Sequence, residues 1–281
     1  MKYVEVTSSQ ELDSLMRELS SQGSSYYIIA GATDAMIAWK RSRSFFNSLD
    51  YVVDVSKADD MRSIEIEGGI LRIGASVTIE DLKRSELVMR LPALKEAAAR
   101  FATWQIRNVA TVGGNLGTAS PASTLAPALL VYDAEVETSG VVKRRIRLSD
   151  FFVGPKKNAL MKYEYIKGVA VKIKEGRGAY EEIGKREGNI IPIVNLALHL
   201  ITDDGIIKEA SLALGSVAPT PVRAGNAERA LIGKSVQEAL KCNGQELFRD
   251  ISPITDFRAS KEYRYAMSLA LLRRALRRLG E

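Results

Sequence analysis

The chain has 281 residues, of which 46% are hydrophobic and 26% are charged. This length favours two domains or one large domain, and the interspersed charges are typical of a folded chain rather than a disordered one. The formal net charge is +6, but the basic residues are spread out except for Arg273, Arg274, Arg277 and Arg278. Without interleaved aromatic residues, this cluster indicates a solvated or subunit-contacting helix face, and no nucleic-acid partner is expected.

The cysteine and histidine content excludes several metal centres. Cys242 and His199 are single residues of their types, so an intrachain disulfide, an iron–sulfur cluster held by this chain alone and a Cys/His zinc site are all excluded. We therefore predict no metal site. The first six residues have the pattern of a strand rather than a signal peptide, and no apolar stretch approaches the ~18 residues of a membrane span. A cytoplasmic protein without a membrane partner is expected.

The first half of the chain combines short strands with short helices. A helical stripe over residues 11–19, which Ser8 or Ser9 can cap, precedes a buried strand at 26–30, a short helix at 34–40 and a strand at 51–55. Alternation over 64–67 and 70–75, with Gly68 and Gly69 between, predicts a hairpin. Helices are expected from Thr78 through Leu87 and over 92–102, and a strand is expected over 134–138.

The segment 176–178 is predicted to be a domain boundary. Three antiparallel strands are expected beyond it, over 178–183, 194–202 and 206–214, with the turn 203–205 joining the last two. A helix over 236–240 and a terminal helix follow, and the terminal helix carries an apolar stripe formed by Tyr265, Leu269, Leu272, Leu276 and Leu279. This irregular alternation of strands and helices favours an α+β fold.

Two glycine-bearing loops are the candidate chemical features, since neither the common dinucleotide fingerprint nor a Walker loop is present. Ala30-Gly31-Ala32-Thr33-Asp34 follows a strand, so its amides could approach an anion, but taken alone this segment is better explained as an ordinary turn. In the second loop, Thr111-Val112-Gly113-Gly114-Asn115 is followed by small residues up to Ser123. Its amides and the hydroxyls of Thr111, Thr118 and Ser120 could wrap a pyrophosphate, and a small-residue loop packed under a helix fits the composition as well.

Together these loops resemble the FAD-binding medium subunits of the molybdenum hydroxylases, the family of xanthine dehydrogenase, aldehyde oxidoreductase and carbon monoxide dehydrogenase. The resemblance extends in order through residues 71–75, 101–108, 216–224 and 256–264, and so covers nearly the whole chain. It implies an FAD-binding domain at 1–175, made of subdomains at about 1–57 and 58–175. A C-terminal domain of the CO-dehydrogenase-flavoprotein type is implied at 176–281, with a three-stranded antiparallel sheet and helices.

The resemblance also implies a function and a site. The chain would bind FAD non-covalently and carry electrons from the [2Fe-2S] clusters of a small subunit to an external acceptor, while a large molybdopterin subunit oxidises an aldehyde or related substrate. A dimer of such heterotrimers is expected. No catalytic residue is assigned to this chain. The implied cofactor-binding residues are Ile28, Ile29, Ala30, Gly31, Ala32, Thr33, Asp34, Ala35, Phe101, Ala110, Thr111, Gly113, Gly114, Asn115, Thr118, Ser120, Thr124, Lys185 and Arg186.

Specific roles follow from matching this chain to the family pattern. The first loop and the second would hold the pyrophosphate and ribitol from two sides, Phe101 and Ile28 would border the adenine or the flavin ring, and Lys185 or Arg186 would stabilise a reduced, anionic flavin. The chain departs from the pattern at Ala32, Thr124 and Asn189, where the family usually has Gly, Asp and Asp. Two alternatives remain open: a self-contained FAD-dependent oxidoreductase and a basic non-enzymatic binding protein.

Overall fold

The computed structural model describes residues 1–186 and 191–280, and Asn189 lies outside this range. The strands are β1 Lys2–Glu5, β2 Tyr26–Ile29, β3 Tyr51–Asp54, β4 Ile64–Glu67, β5 Ile70–Gly74, β6 Glu135–Gly140, β7 Arg145–Arg147, β8 Phe152–Gly154, β9 Lys157–Asn158, β10 Glu164–Lys172, β11 Arg177–Ile183, β12 Val194–Asp203, β13 Ile206–Gly215 and β14 Val222–Arg223. The helices are α1 Ser9–Gln22, α2 Thr33–Arg41, α3 Arg43–Asn47, α4 Ile79–Arg84, α5 Pro92–Arg100, α6 Trp104–Arg107, α7 Val112–Thr118, α8 Leu125–Leu130, α9 Leu148–Phe151, α10 Gly225–Leu231, α11 Val236–Ala239, α12 Gln245–Asp250 and α13 Lys261–Gly280. Short 3-10 helices occupy Asp59–Met61 and Leu87–Arg90. No described helix has the length and apolar character needed to cross a membrane.

The N-terminal sheet is parallel, with the strand order β1-β3-β2. Helix α1 begins after Ser8, whose side chain accepts a hydrogen bond from the backbone of Glu11, and ends at Gly23 with φ 69°. It buries Leu12, Met16 and Leu19, which its helical period places on one face. The predicted helix, its cap and both neighbouring strands are therefore present at nearly the expected positions.

A second, antiparallel sheet has the order β4-β5-β10-β6-β7. The predicted hairpin forms between β4 and β5, and Gly68 and Gly69 adopt φ values of 57° and 78°. A turn with two positive φ angles matches the twist of the paired strands, and glycine adopts these angles without steric cost. Thr78 caps α4 as predicted, but this helix ends at Arg84 rather than Leu87.

A buried carboxylate joins the first sheet's helix to the second sheet. Asp13 of α1 accepts hydrogen bonds from Ser139 Oγ (2.8 Å), the Gly140 amide (3.0 Å) and the Tyr165 hydroxyl (2.8 Å). Burial opposes the charge, but these hydrogen bonds and Lys143 outweigh it and lower the pKa of Asp13. The ionised carboxylate therefore ties α1 to β6 and β10.

The C-terminal sheet differs from the sequence-based expectation. Within the described residues it has four strands, in the order β11-β12-β13-β14, rather than three. The additional strand β14 pairs two residues with β13, Val222 with Leu214 and Arg223 with Ala213. A two-residue strand is too short to show period-2 alternation, so it left no recognisable signal in the sequence. Helix α13 packs on this sheet and buries Leu272, Leu276 and Leu279, so the predicted stripe belongs to the core.

The two halves of the chain meet over a shared boundary. Tyr180, Ala197 and Ala213 of the C-terminal sheet pack into the hydrophobic core of the first half. At the edge of this contact, Arg278 of α13 pairs with Glu96 of α5 and with Glu181 of β11, at 2.6 Å in each case. Glu181 is 1% exposed and also lies near Arg100 and Arg274, so its charge is compensated from several sides.

Candidate cofactor site

A cavity of about 340 Å³ opens between the N-terminal sheet and the five-stranded sheet. Both glycine-bearing loops line it. Fifteen of the residues expected from the sequence contribute to its wall: Ile28, Ile29, Ala30, Gly31, Ala32, Thr33, Asp34, Ala35, Phe101, Ala110, Thr111, Gly113, Gly114, Asn115 and Thr118. The fold thus brings two segments that lie about 80 residues apart onto one cavity, although their individual roles stay predictions.

Four expected residues do not line this cavity in the described part of the chain: Ser120, Thr124, Lys185 and Arg186. Ser120 Oγ accepts a hydrogen bond from the Ala122 amide (3.2 Å). Thr124 is buried at the start of α8, beside Tyr180. Lys185 is exposed, and its Nζ donates to the carbonyl of Phe257 (3.1 Å). Arg186 is exposed as well.

Glycine is required where the two loops touch each other and the sheet. A Cβ on Gly31 would overlap the backbone carbonyl of Val109, which lies two residues before the start of the second loop. A Cβ on Gly113 would lie 2.6 Å from the Cβ of Ala75, at the end of β5. Any side chain at these two positions would therefore push the walls of the cavity apart.

The first loop presents its backbone amides. Strand β2 passes through Ala30 and Gly31 into α2, and Ala32 turns the chain with φ 53° and ψ 11°. Within residues 1–186 and 191–280, the N–H groups of residues 30–35 donate to no carbonyl or side chain. Successive unpaired amides at a helix start form a concave site for an anion, and the helix dipole adds to the attraction.

The second loop uses its first amides differently. The Val112 amide donates to the Val77 carbonyl (3.0 Å), the Gly113 amide to the Ala75 carbonyl (2.8 Å), and the Gly114 amide to Thr111 Oγ1 (3.0 Å). Thr111 is thus the N-cap of α7. These amides hold α7 against the sheet, so a ligand would meet the bare glycine surface and the hydroxyls rather than these N–H groups.

Side-chain hydrogen bonds tie the cavity walls together. Thr118 Oγ1 lies 2.7 Å from Asp34 Oδ2 and 2.9 Å from the Gly114 carbonyl oxygen. The hydroxyl has one proton, which these two acceptors share. Asn115 Oδ1 accepts a hydrogen bond from Ser123 Oγ (2.6 Å). The first of these contacts links α2 to α7 directly across the cavity.

The charged groups of the wall are acidic. Asp34 and Glu164 line the cavity, whereas no lysine or arginine appears among its described lining residues. Burial opposes ionisation of Glu164, but hydrogen bonds from Arg144, the Met161 amide and Thr138 outweigh it and lower its pKa. Since Arg144 lies 2.6 Å away and compensates this carboxylate, an anionic ligand would be recognised by backbone amides rather than by side-chain cations.

Sequence reasoning missed several lining residues: Tyr27, Val55, Met61, Ala75, Ser76, Gly117, Asn158, Leu160, Glu164, Tyr165 and Ile166. Gly117 lies inside the small-residue stretch and could have been included on that ground. Most of the others come from strand ends and from the segment before β10, which only the three-dimensional pairing places here. Asn158, for example, donates from Nδ2 to the Gly117 carbonyl (2.8 Å) and accepts from the Leu160 amide.

A cavity of about 340 Å³, with unpaired backbone amides at one end and many apolar lining residues, is typical of a small-molecule or cofactor site. Two family models match the chain. Residues 1–171 match the FAD binding domain in molybdopterin dehydrogenase, and residues 179–279 match the CO dehydrogenase flavoprotein C-terminal domain.

Individual relatives agree with these matches. A putative xanthine dehydrogenase FAD-binding subunit from Escherichia coli K12 is 33% identical over 248 residues, which cover 84% of this chain and 82% of the relative. The glyceraldehyde dehydrogenase medium chain of Sulfolobus acidocaldarius is 26% identical over 237 residues, covering 83% and 84%. In a solved carbon monoxide dehydrogenase of Hydrogenophaga pseudoflava, one chain superposes with a TM-score of 0.88 at 27% identity, with 99% of this chain and 96% of that chain covered.

The chain belongs to the family of FAD-binding subunits of molybdenum hydroxylases. It is an oxidoreductase flavoprotein whose cofactor is FAD. The resemblance seen in the sequence is thereby confirmed, as is the α+β fold with an FAD-binding part and a flavoprotein C-terminal part.

Proposed function

We propose that the chain is the electron-transfer subunit of a heteromeric molybdenum hydroxylase. It would receive electrons from [2Fe-2S] clusters of a partner subunit and release them to an external acceptor during the oxidation of an aldehyde or a related substrate. The observation that carries this proposal is the cavity lined by both glycine-bearing loops, in a chain whose family binds FAD. The bound flavin would supply the capacity to take up and release electrons.

The protein's own contribution would be to bind and orient the cofactor. The unpaired amides of residues 30–35 would hold the diphosphate, because successive N–H groups compensate its negative charge without a cationic side chain. Gly31 would let the first loop pack against Val109, and Gly114 would let the backbone approach the cofactor closely. Thr111 and Thr118 would contribute hydroxyls, and Phe101 and Ile28 would border an aromatic ring of the cofactor. Four of the expected residues lie outside the described cavity wall: Ser120, Thr124, Lys185 and Arg186. Any contact that they make with the cofactor would come from the side of the C-terminal domain.

Partner subunits would hold the other redox centres. The chain has one cysteine and one histidine, too few to ligate an iron–sulfur cluster. Two of its relatives are an FAD-binding subunit and a medium chain, names that imply partner subunits. The solved carbon monoxide dehydrogenase is a form that lacks the Mo-pyranopterin moiety of the molybdenum cofactor. We therefore propose a large molybdopterin-binding partner, a small [2Fe-2S] partner and a dimer of heterotrimers. The cytoplasmic location stays a prediction.

Cofactor binding by the full-length chain tests the first part of this proposal. The purified chain, stripped of any flavin, is titrated with FAD, FMN and riboflavin while flavin fluorescence is followed. We expect FAD to bind at least about 10-fold more tightly than the other two, because only FAD carries the diphosphate that the amide turn would hold. A folded chain that binds none of them, or that prefers riboflavin, would contradict the proposed binding mode.

The electron-transfer role requires the partners. A tagged chain recovered from its native host should co-purify with two further polypeptides, together with molybdenum and iron. Reduction of the flavin by substrate should occur in this complex and not in the isolated, FAD-loaded chain. Aldehyde turnover by the isolated chain would instead support a self-contained oxidoreductase.

A further inference from the structure

A buried polar cluster lies where the C-terminal domain meets the start of α8. Tyr180 of β11 is 0% exposed, and its hydroxyl donates to Glu182 Oε2 (2.9 Å) and accepts from Asn195 Nδ2 (3.0 Å). The buried Thr124 side chain lies beside this hydroxyl. Buried hydroxyls with several partners fix the groups around them, because losing any one bond leaves a desolvated polar atom.

The Glu182 carboxyl group receives a hydrogen bond from the Tyr180 hydroxyl in a buried environment. The carboxyl group is buried, and no lysine or arginine of the described chain lies within ion-pair distance of it. Burial raises the pKa of Glu182, while the Tyr180 hydroxyl and the more distant charge of Arg100 act in the opposite direction and Glu181 adds to the rise. Glu182 therefore holds the Tyr180 hydroxyl in place as a hydrogen-bond acceptor.

Asn195 connects the Tyr180 hydroxyl to the first domain through hydrogen bonds. It is 0% exposed, and its Nδ2 also donates to the backbone carbonyl of Ser123 (2.9 Å). Its Oδ1 has no hydrogen-bond partner in the described chain, and Gly215 leaves the space that this atom occupies. The Asn195 amide is thus fixed by its two donor bonds, one to each domain.

The last contact reaches the cavity. Ser123 is 2% exposed, and its Oγ donates to Asn115 Oδ1 (2.6 Å) while accepting from the Ala126 amide (3.1 Å). Asn115 lies in the cavity wall, within α7. A continuous series of contacts therefore runs from Glu182 through Tyr180, Asn195 and Ser123 to Asn115.

We propose that Tyr180 and Asn195 are positioning residues through which the C-terminal domain sets the cavity wall at Asn115, so that FAD binding and docking of the C-terminal domain are coupled. The inference rests on the proposed FAD site. Because such coupling is reciprocal, FAD should tighten the C-terminal strands, and loosening the cluster should weaken FAD binding.

The full-length chain and its Tyr180→Phe variant test this coupling by hydrogen exchange and FAD titration. In the unsubstituted chain, FAD should slow amide exchange in the loops at 30–35 and 111–118 and also in β11 and β12. In Tyr180→Phe, the slowing should persist in the loops and disappear from the two strands. The dissociation constant for FAD should rise about 5–10-fold.

Tyr132→Phe is the matched control. Tyr132 is also 0% exposed, and its hydroxyl accepts one hydrogen bond, from the Ala93 amide (3.1 Å), without a contact to Asn115. This variant should lose stability yet keep the FAD-induced protection of β11 and β12. Loss of that protection in both variants, or in neither, would overturn the proposal.

A second variant covers the case in which Tyr180→Phe does not fold. Ser123→Ala breaks the contact to Asn115 and should also weaken FAD binding about 5–10-fold. Combined with Tyr180→Phe in a folded double variant, it should add less than a further twofold, because both changes interrupt one series of contacts. Independent, multiplying effects would contradict a shared route. Absence of FAD binding by the unsubstituted chain would overturn the proposed function and the coupling together, whereas normal binding with unaffected variants would overturn the coupling alone.

Discussion

At Ala32 the backbone adopts a left-handed conformation that alanine disfavours. With φ 53° and ψ 11°, its Cβ approaches the following carbonyl oxygen. Ala32→Gly should relieve this strain and raise the free energy of unfolding by up to about 1 kcal/mol. Denaturant titration of both proteins measures the change. Ala38→Gly in the regular part of α2 is the control, and it should lower stability by about 1 kcal/mol. A gain in the control as well would show that the backbone angle is not the cause.

Gly31 sits one residue earlier and faces the opposite constraint. Its missing Cβ leaves room for the Val109 carbonyl. Gly31→Ala should destabilise the protein by about 1–3 kcal/mol, because the two loops must move apart, and FAD affinity should fall with it. Gly117→Ala offers a matched comparison in the same cavity wall, since its Cβ would make an ordinary 3.6 Å contact with Ile166. Equal losses in both variants would rule out the steric explanation.

His199 should make stability depend on pH. It is 2% exposed, and its Nε2 has no hydrogen-bond partner in the described chain. Burial, followed by the charge of Lys174, lowers its pKa. The unfolded chain binds a proton below about pH 6.5 while the folded protein resists protonation, so the free energy of unfolding falls as the pH drops below that value.

His199→Asn should remove this part of the pH dependence. Since the chain has one histidine, the slope of stability against pH below about pH 6.5 should become less steep by up to about 1.4 kcal/mol per pH unit. Unfolding curves at several pH values give the slope. Tyr132→Phe, which alters the ring packed 5.1 Å from His199, should keep the original slope. An unchanged slope in His199→Asn would show that a group other than His199 causes the pH dependence of stability.

At the scale of elements, α7 is held at its start by one side chain. Thr111 Oγ1 accepts the Gly114 amide, and the other early amides bond to the strand region around Ala75 and Val77. Thr111→Ala should therefore cost about 1 kcal/mol of stability, whereas Thr111→Ser should cost much less because it retains the capping oxygen. Thermal unfolding distinguishes the two variants, and equal losses would mean that the methyl group rather than the cap matters.

The elements that could be predicted are those with local signals. The Gly68-Gly69 turn, the Ser8 and Thr78 caps and the turn at 203–205 depend on residues adjacent in sequence, and all of them form. Strand β14 carries too few residues for a pattern. The positions of Glu164, Tyr165 and Ile166 in the cavity could not be predicted either, because they follow from the pairing of β10 with β5 and β6.

The candidate site shows the same division. Both glycine loops are visible in the sequence, but local chemistry alone favours an ordinary turn for the first and leaves ordinary packing equally possible for the second. Their meeting depends on the contact between Gly31 and Val109, two residues with no local relation. The family resemblance supplied that juxtaposition, while only the coordinates show that the first amides of α7 are already bonded to the chain.

At the scale of the whole molecule, ion pairs close the boundary between the two halves. Arg278 contacts both Glu96 and Glu181, and its side chain is 40% exposed. Arg278→Ala should lower stability by about 1 kcal/mol, since solvent screens part of the interaction, and the loss should shrink in high salt. Arg277→Ala, an exposed neighbour on the same helix, should change stability by less than about 0.5 kcal/mol. Salt-insensitive losses of similar size in both variants would contradict an electrostatic role.

The buried carboxylate of Asp13 has a consequence for the order of folding. Its partners Ser139 and Tyr165 follow it by 126 and 152 residues. Contacts this distant in sequence require large loops to close before they stabilise anything, which slows folding. During synthesis from the N-terminus, α1 has to wait for β10 to be made before Asp13 is satisfied. Helix α1 should therefore become stable only after β10 has been made, and truncations before residue 165 should yield chains that aggregate.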